Sequence, residues 1–145
     1  GIRDVAVTGV QTCALPISDV LGAPLTLERI AGWIFAPIAW LMGIDWTEAA
    51  KVGSLLGVKS VLNEFIAYIQ LSAMPADALS DRSRLIAMYA LCGFANLASI
   101  GIQISGIGTM APERRADLAA LAWPAFLAAT LASCMNASVV AIITN

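Results

Sequence analysis

The chain contains no histidine, which removes the side chain most often used as a proton shuttle, general base or imidazole metal ligand. Charge is scarce as well: 12% of residues are Asp, Glu, Lys or Arg, against about a quarter in an average soluble domain. The eight basic residues form no cluster of the kind nucleic acid requires, so no nucleic-acid partner is expected. Cysteine occurs only at Cys13, Cys92 and Cys134, widely spaced and without metal-ligand spacing. These read as free apolar side chains packed in helices. No nucleophile–base pair, phosphate-binding glycine loop or metal motif is present. Neither enzymatic activity nor a metal or organic cofactor is expected.

What the chain has instead is apolar length. Of its 145 residues 59% are hydrophobic, and the mean hydropathy is +0.82. Residues 85–112 (LIAMYALCGFANLASIGIQISGIGTMAP) carry no charge, and neither do residues 118–145. About 20 apolar residues cross a hydrocarbon core of roughly 30 Å, and both windows are longer. An all-α membrane protein, with the lipid bilayer as its solvent, is the expected fold class.

Residues 1–18 (GIRDVAVTGVQTCALPIS) read unlike the rest. They mimic a signal peptide but have no net positive charge at the start and no initiating Met. They look like translated sequencing-adapter sequence, so they are expected to be non-native, and the chain to be an N-terminally truncated fragment. Residues 19–47 are expected to hold a linker and an interfacial helix over 26–44 (TLERIAGWIFAPIAWLMGI), starting at Thr26 and Glu28. Arg29 and Asp45 enclose fifteen uncharged residues, short for a span, and Pro37 would kink or end the helix. Trp33, Trp40 and Trp46 favour a membrane–water boundary. A tilted, kinked span is the alternative.

Residues 48–76 contain two apolar stretches, 48–58 and 63–74, each too short to cross. With Lys59, Ser60, Asn63 and Glu64 between them, they describe a re-entrant helical hairpin; one continuous helix over 48–74 is the rival. Gly53 and Gly57, four apart, would permit close helix approach. A polar loop over Pro75–Ser83 leads to an interrupted transmembrane helix within 77–112. Its uncharged stretch would run about 42 Å as a straight helix, so an unwound break at Gly93-Phe94-Ala95-Asn96 is expected. Asn96, Ser99 and Gln103 then share one helix face, which suits either helix–helix hydrogen bonding or a solute site. A final transmembrane helix occupies 113–145. Arg114 and Arg115 place the loop before it in the cytoplasm, while Arg82 and Arg84 argue for the opposite orientation.

Glu64 is the only charged residue between Lys59 and Asp77. A carboxylate in such a stretch persists where it faces a protein interior or an aqueous cavity. Asn63, Glu64, Phe94, Asn96 and Ser99 all fall at breaks in apolar segments, where secondary transporters build substrate sites. Glu64 would accept hydrogen bonds from two vicinal hydroxyls, Asn96 and Ser99 would donate and accept, and Phe94 would cover an apolar ring face. A neutral polyhydroxylated solute fits that set. The rival from another class is a non-transporting membrane scaffold or assembly subunit, with Glu64 paired to Lys59 or to a partner's lysine. A channel is disfavoured by the absence of a like-charged ring.

From about residue 24 onward, the strings GVKSVLNEFIAY, YALCGFANLASIGIQISG and MAPERRADLA resemble the C-terminal part of the concentrative nucleoside transporters, including bacterial nucleoside permeases. The resemblance implies a homotrimeric symporter with an elevator-like transport domain, multi-pass in the bacterial inner membrane. It implies that the family's ribose-contacting glutamate falls on Glu64, and its Phe-x-Asn-x-x-Ser pattern on Phe94, Asn96 and Ser99. The substrate would be a nucleoside, and the coupling cation Na+ or H+. That ion's site and the nucleobase contacts would belong to the missing upstream half. Ser105-Gly106 departs from a glycine pair frequent in the family, away from every site residue.

Overall fold

The computed structural model describes residues 27–144, and their regular structure is entirely helical. Six α-helices follow in order: α1 Leu27–Leu41, α2 Trp46–Val61, α3 Glu64–Ala73, α4 Asp81–Leu91, α5 Leu97–Met110 and α6 Arg115–Ile143. Short 3-10 turns at Ala76–Ala78 and Pro112–Arg114 precede α4 and α6. The expectations for residues 1–18, and for a helix start at Thr26, lie outside the described residues.

The α1–α2 pair is the most closely packed part of the chain, and its packing is set by glycine. The chain turns by 119° between the two helices. A Cβ on Gly53 would lie 2.6 Å from Gly32 O and 2.9 Å from Ala36 N, and one on Gly57 would overlap the Ala31 methyl. Backbone therefore touches backbone, the use of small residues that Gly53 and Gly57 foreshadow. In lipid such contact counts more than area burial, because tails are as apolar as the side chains they replace. Pro37 does not end α1; it lies on the exposed side, and the helix runs through it to Leu41. Trp33, Trp40 and Trp46 are all exposed, with the Trp40 and Trp46 rings edge to face at 6.3 Å.

Several element boundaries differ from expectation, each for a local reason. The continuous helix over 48–74 is excluded, because α2 ends at Val61 and α3 begins at Glu64. The break is shorter than Ser60–Asn63: Ser60 satisfies its own hydroxyl on Leu56 O at 2.8 Å and stays helical. The loop expected through Ser83 ends at Ser80, whose hydroxyl accepts from Ser83 N at 3.3 Å and starts α4 at Asp81. The break expected within residues 85–112 is present and one residue wider than Gly93–Asn96, running from Cys92 to Asn96. Among the described residues Pro112–Ile143 is the one helical stretch long and apolar enough to cross a membrane by itself.

Charged side chains tie the elements together at one end. Arg82 donates to Gly43 O at 2.6 Å and to Ala141 O at 2.9 Å, joining the α1–α2 turn to the end of α6. Arg84 donates to Leu71 O and Pro75 O, each at 3.0 Å, closing the end of α3. Both guanidinium groups serve backbone carbonyls. Glu48 accepts from Ser80 N at 2.9 Å and Ser80 Oγ at 3.1 Å, while Lys51 donates to Ala78 O at 2.7 Å. Hydrogen bonding from Ser83 and Ser80 holds the Glu48 carboxyl below the usual carboxylate range, against the opposing effect of partial burial.

The buried core is small and lies where α1, α2, α4 and the second half of α6 meet, around Ala39, Val52, Leu55, Ile86, Ala90 and Ala137. By contrast Ile102, Met110, Leu121, Trp123 and Leu131 are exposed, so α5 and the first half of α6 present apolar surface outward.

Gly53→Ala is expected to lower the thermal stability of the full-length parent, since overpacking costs about 1–3 kcal/mol. Gly101→Ala is the control: a Cβ there meets nothing within 4 Å. That substitution meets no clash within this chain and gains about 0.5–1 kcal/mol of helix propensity, so it should cost less than Gly53→Ala. Thermal denaturation in detergent distinguishes the two.

Candidate functional site

Two interruptions in the helical chain meet. Leu62 and Asn63 separate α2 from α3, and residues 92–96 separate α4 from α5. Each new helix starts with the same device. Asn63 Oδ1 accepts from Ile66 N at 2.9 Å, and Asn96 Oδ1 accepts from Ser99 N at 2.7 Å. Asparagine supplies an N-cap because its side-chain oxygen takes one of the orphan N–H groups of the first turn.

The two N-termini are then bridged by Glu64. Asn96, 2% exposed, donates from Nδ2 to Glu64 Oε2 at 3.1 Å. Glu64 stands in the first turn of α3, and α5 has no acidic residue in its own first turn. One carboxylate thus faces two helix N-termini, where the macrodipole favours negative charge. Ser99 Oγ lies 2.8 Å from Asn96 Oδ1 and 3.1 Å from Phe94 O, and its single proton serves one of them.

The opposite pole of the break is served by the same hairpin. The last carbonyls of α4 lack helical donors. Tyr68 OH donates to Met88 O at 2.6 Å, and Lys59 Nζ reaches Ala90 O at 3.4 Å. Lys59 is 1% exposed, and α4 carries no basic residue in its last turn. A Cβ on Gly93 would overlap Ser133 Oγ on α6, so glycine there lets α6 close over the break.

Of the residues predicted to bind substrate, Glu64, Asn96 and Ser99 form one hydrogen-bonded group. Phe94 contributes its carbonyl to that group, while its ring is 73% exposed. Asn63 is adjacent, and its side-chain oxygen is committed to capping α3. A cleft of about 400 Å³ between α5 and α6 is lined by Phe94, Asn96, Ser99 and Gln103 on the α5 side. Asn63 and Glu64 are not in its wall. Its other wall is apolar, including Leu121 and Phe126, so the cleft is the less polar side of the group. The helix face shared by Asn96, Ser99 and Gln103 turns toward this cleft. Lys59 bonds to Ala90 O and Glu64 accepts from Asn96, so the two are not paired with each other in this way. Lys59 and Tyr68 are the participants that sequence reasoning placed outside the site. A lysine inside an apolar run was the visible signal for the first; Tyr68 left none, because its acceptor is a backbone carbonyl 20 positions away.

Interrupted helices that meet at polar tips, inside an otherwise apolar surface, are the architecture of helical membrane transporters. The chain belongs to the family described as Na+ dependent nucleoside transporter C-terminus, whose model matches residues 5–141. It is 42% identical over 116 residues to the putative nucleoside permease NupX of Escherichia coli, covering 79% of this chain and 28% of that protein. Human solute carrier family 28 member 3 is 38% identical over 135 residues, covering 83% of this chain and 20% of that one. Among solved structures, CNTnw in an inward-facing substrate-bound state matches with a TM-score of 0.84 and 40% identity. That match covers 99% of this chain and 35% of CNTnw. The chain therefore spans between a fifth and about a third of the length of these relatives. Nucleoside-transporting homologues imply a membrane location, and they are transporters rather than enzymes.

Gly93→Ala is expected to destabilise the full-length parent by about 1–3 kcal/mol, as an added methyl meets an already filled position. Ser133→Ala in the same background should restore part of that loss. The measurement is thermal denaturation of the two variants and their parent.

Proposed function

We propose that this chain is the C-terminal part of a cation-coupled nucleoside symporter and supplies the ribose-contacting part of its substrate site. In this reading α2 and α3 are the arms of a re-entrant hairpin, α4 and α5 are the halves of an interrupted span, and α6 is the final span. Exposed Trp33, Trp40 and Trp46 support an interfacial position for α1. The parent is a multi-pass protein of the bacterial inner membrane that works as a homotrimer and couples to Na+ or H+.

The observation that carries the proposal is the 3.1 Å bond from Asn96 Nδ2 to Glu64 Oε2, which joins the two interruptions into one polar group. An ionised carboxylate offers about four lone-pair sites, and Asn96 takes one. The rest suit the two vicinal hydroxyls of ribose, whose bonds to a charged acceptor are stronger than neutral ones. Ser99 Oγ adds a donor or acceptor beside them, and the exposed Phe94 ring is free to lie against an apolar sugar or base face. The carboxylate is held in place by Asn96 before substrate arrives, which lowers the ordering cost of binding.

The test is nucleoside uptake by the full-length parent carrying Glu64→Gln. Losing a charged hydrogen-bond partner costs about 1.5–3 kcal/mol, so apparent affinity should fall roughly 10- to 150-fold. Uptake at the wild-type rate with unchanged KM contradicts the assignment.

A further inference from the structure

Lys59 is the one charged side chain among the described residues that is almost wholly buried, at 1% exposure, and the ribose-binding reading gives it no task. Its surroundings suggest one. The ammonium lies 3.4 Å from Ala90 O, at the C-terminal end of α4. It is also 3.4 Å from the position a Cβ would take on Gly93, so it rests against the backbone of the break itself. The C-terminal end of a helix carries the negative pole of the macrodipole, and α4 brings no basic residue of its own to that turn. In transporters built from broken helices, such ends and unwound carbonyls are where a mobile cation is held.

We propose that Lys59 is a positioning residue for substrate binding: a covalently tethered cation that occupies the C-terminal pole of α4 and holds the 92–96 break in the shape that aims Asn96 at Glu64. The proposal rests on the reading of Glu64 as the ribose anchor. Lys59 and Glu64 come from the ends of adjoining helices, α2 and α3. The hairpin tip thus brings a positive group to one pole of the broken helix and a negative group to the other. This part of the chain carries one positive and one negative side chain, each at the helix pole of opposite sign.

A merely structural buried lysine would behave differently. Removing a single buried charged group mainly destabilises the fold, so a merely structural role would show as lost thermal stability with the KM of the folded protein unchanged. Lys59→Gln fills much of the same space and can still donate to Ala90 O, but it carries no charge. In the full-length parent it is expected to raise KM for nucleoside about tenfold or more with maximal uptake reduced far less. Lys59→Ala leaves a vacancy, and ethylammonium in the assay should restore affinity in a dose-dependent way. Tetramethylammonium, which cannot donate a hydrogen bond, should not. Wild-type KM in Lys59→Gln overturns the proposal, and so does a folded Lys59→Ala protein that ethylammonium fails to rescue. Glu64→Gln run in parallel separates the two readings. If Glu64→Gln loses affinity while Lys59→Gln does not, only the tethered-cation inference fails; if Glu64→Gln is silent, the ribose assignment fails first.

Discussion

Backbone that leaves a helix inside a membrane must give its N–H and C=O groups to protein, because lipid offers no partner and each unsatisfied group costs several kcal/mol. Two of the breaks between this chain's helices, that between α2 and α3 and that between α4 and α5, come together, and the structure depends on their meeting. The hairpin tip between α2 and α3 and the break between α4 and α5 each supply what the other lacks. Asn63 and Asn96 cap the helices that begin there, while Glu64 answers two N-termini through Asn96. Lys59 and Tyr68 answer the carbonyls at the end of α4. The polar atoms that could bind a solute are the same atoms that make the interruptions tolerable.

That arrangement needs a firm support, which the remaining helices provide. Backbone contact at Gly53 and Gly57 locks α1 to α2, and Arg82 anchors the α1–α2 turn to the end of α6. Glu48, Lys51 and Arg84 fasten the connection between α3 and α4 at the end remote from the tip. With the base fixed by charge and the middle by small residues, the break before α5 is left as the region where polar groups, Asn96 and Ser99, face a cleft. The exposed apolar sides of α5 and α6 are in keeping with a chain that spans only part of the length of its relatives.

Much of this was legible in the residues. Low charge and two long uncharged windows pointed to an all-helical chain, and the isolated Glu64 marked the place where the two breaks meet. Asn63 and Asn96 signalled the interruptions because asparagine favours caps over helix interiors. What remained hidden depended on contacts distant in sequence or on side chains satisfied locally. Ser60 read as part of a break, yet its hydroxyl bonds within its own helix. Arg82 carried no signal of its structural partner, since the carbonyl of Ala141 that it bonds lies 59 positions away. Lys59 was noticed beside Glu64, but its acceptor, Ala90, lies 31 positions away, beyond the reach of spacing arguments.

The claim on which the account turns is that Glu64 and Asn96 act as one unit in binding nucleoside. A double-mutant cycle measures it directly: calorimetric nucleoside affinity of the full-length parent, of Glu64→Gln, of Asn96→Ala, and of the pair. Residues in one hydrogen-bonded network couple by about 0.5–3 kcal/mol, so the double variant should lose distinctly less than the sum of the single losses. Strictly additive losses, or affinity untouched by either substitution, would contradict the account.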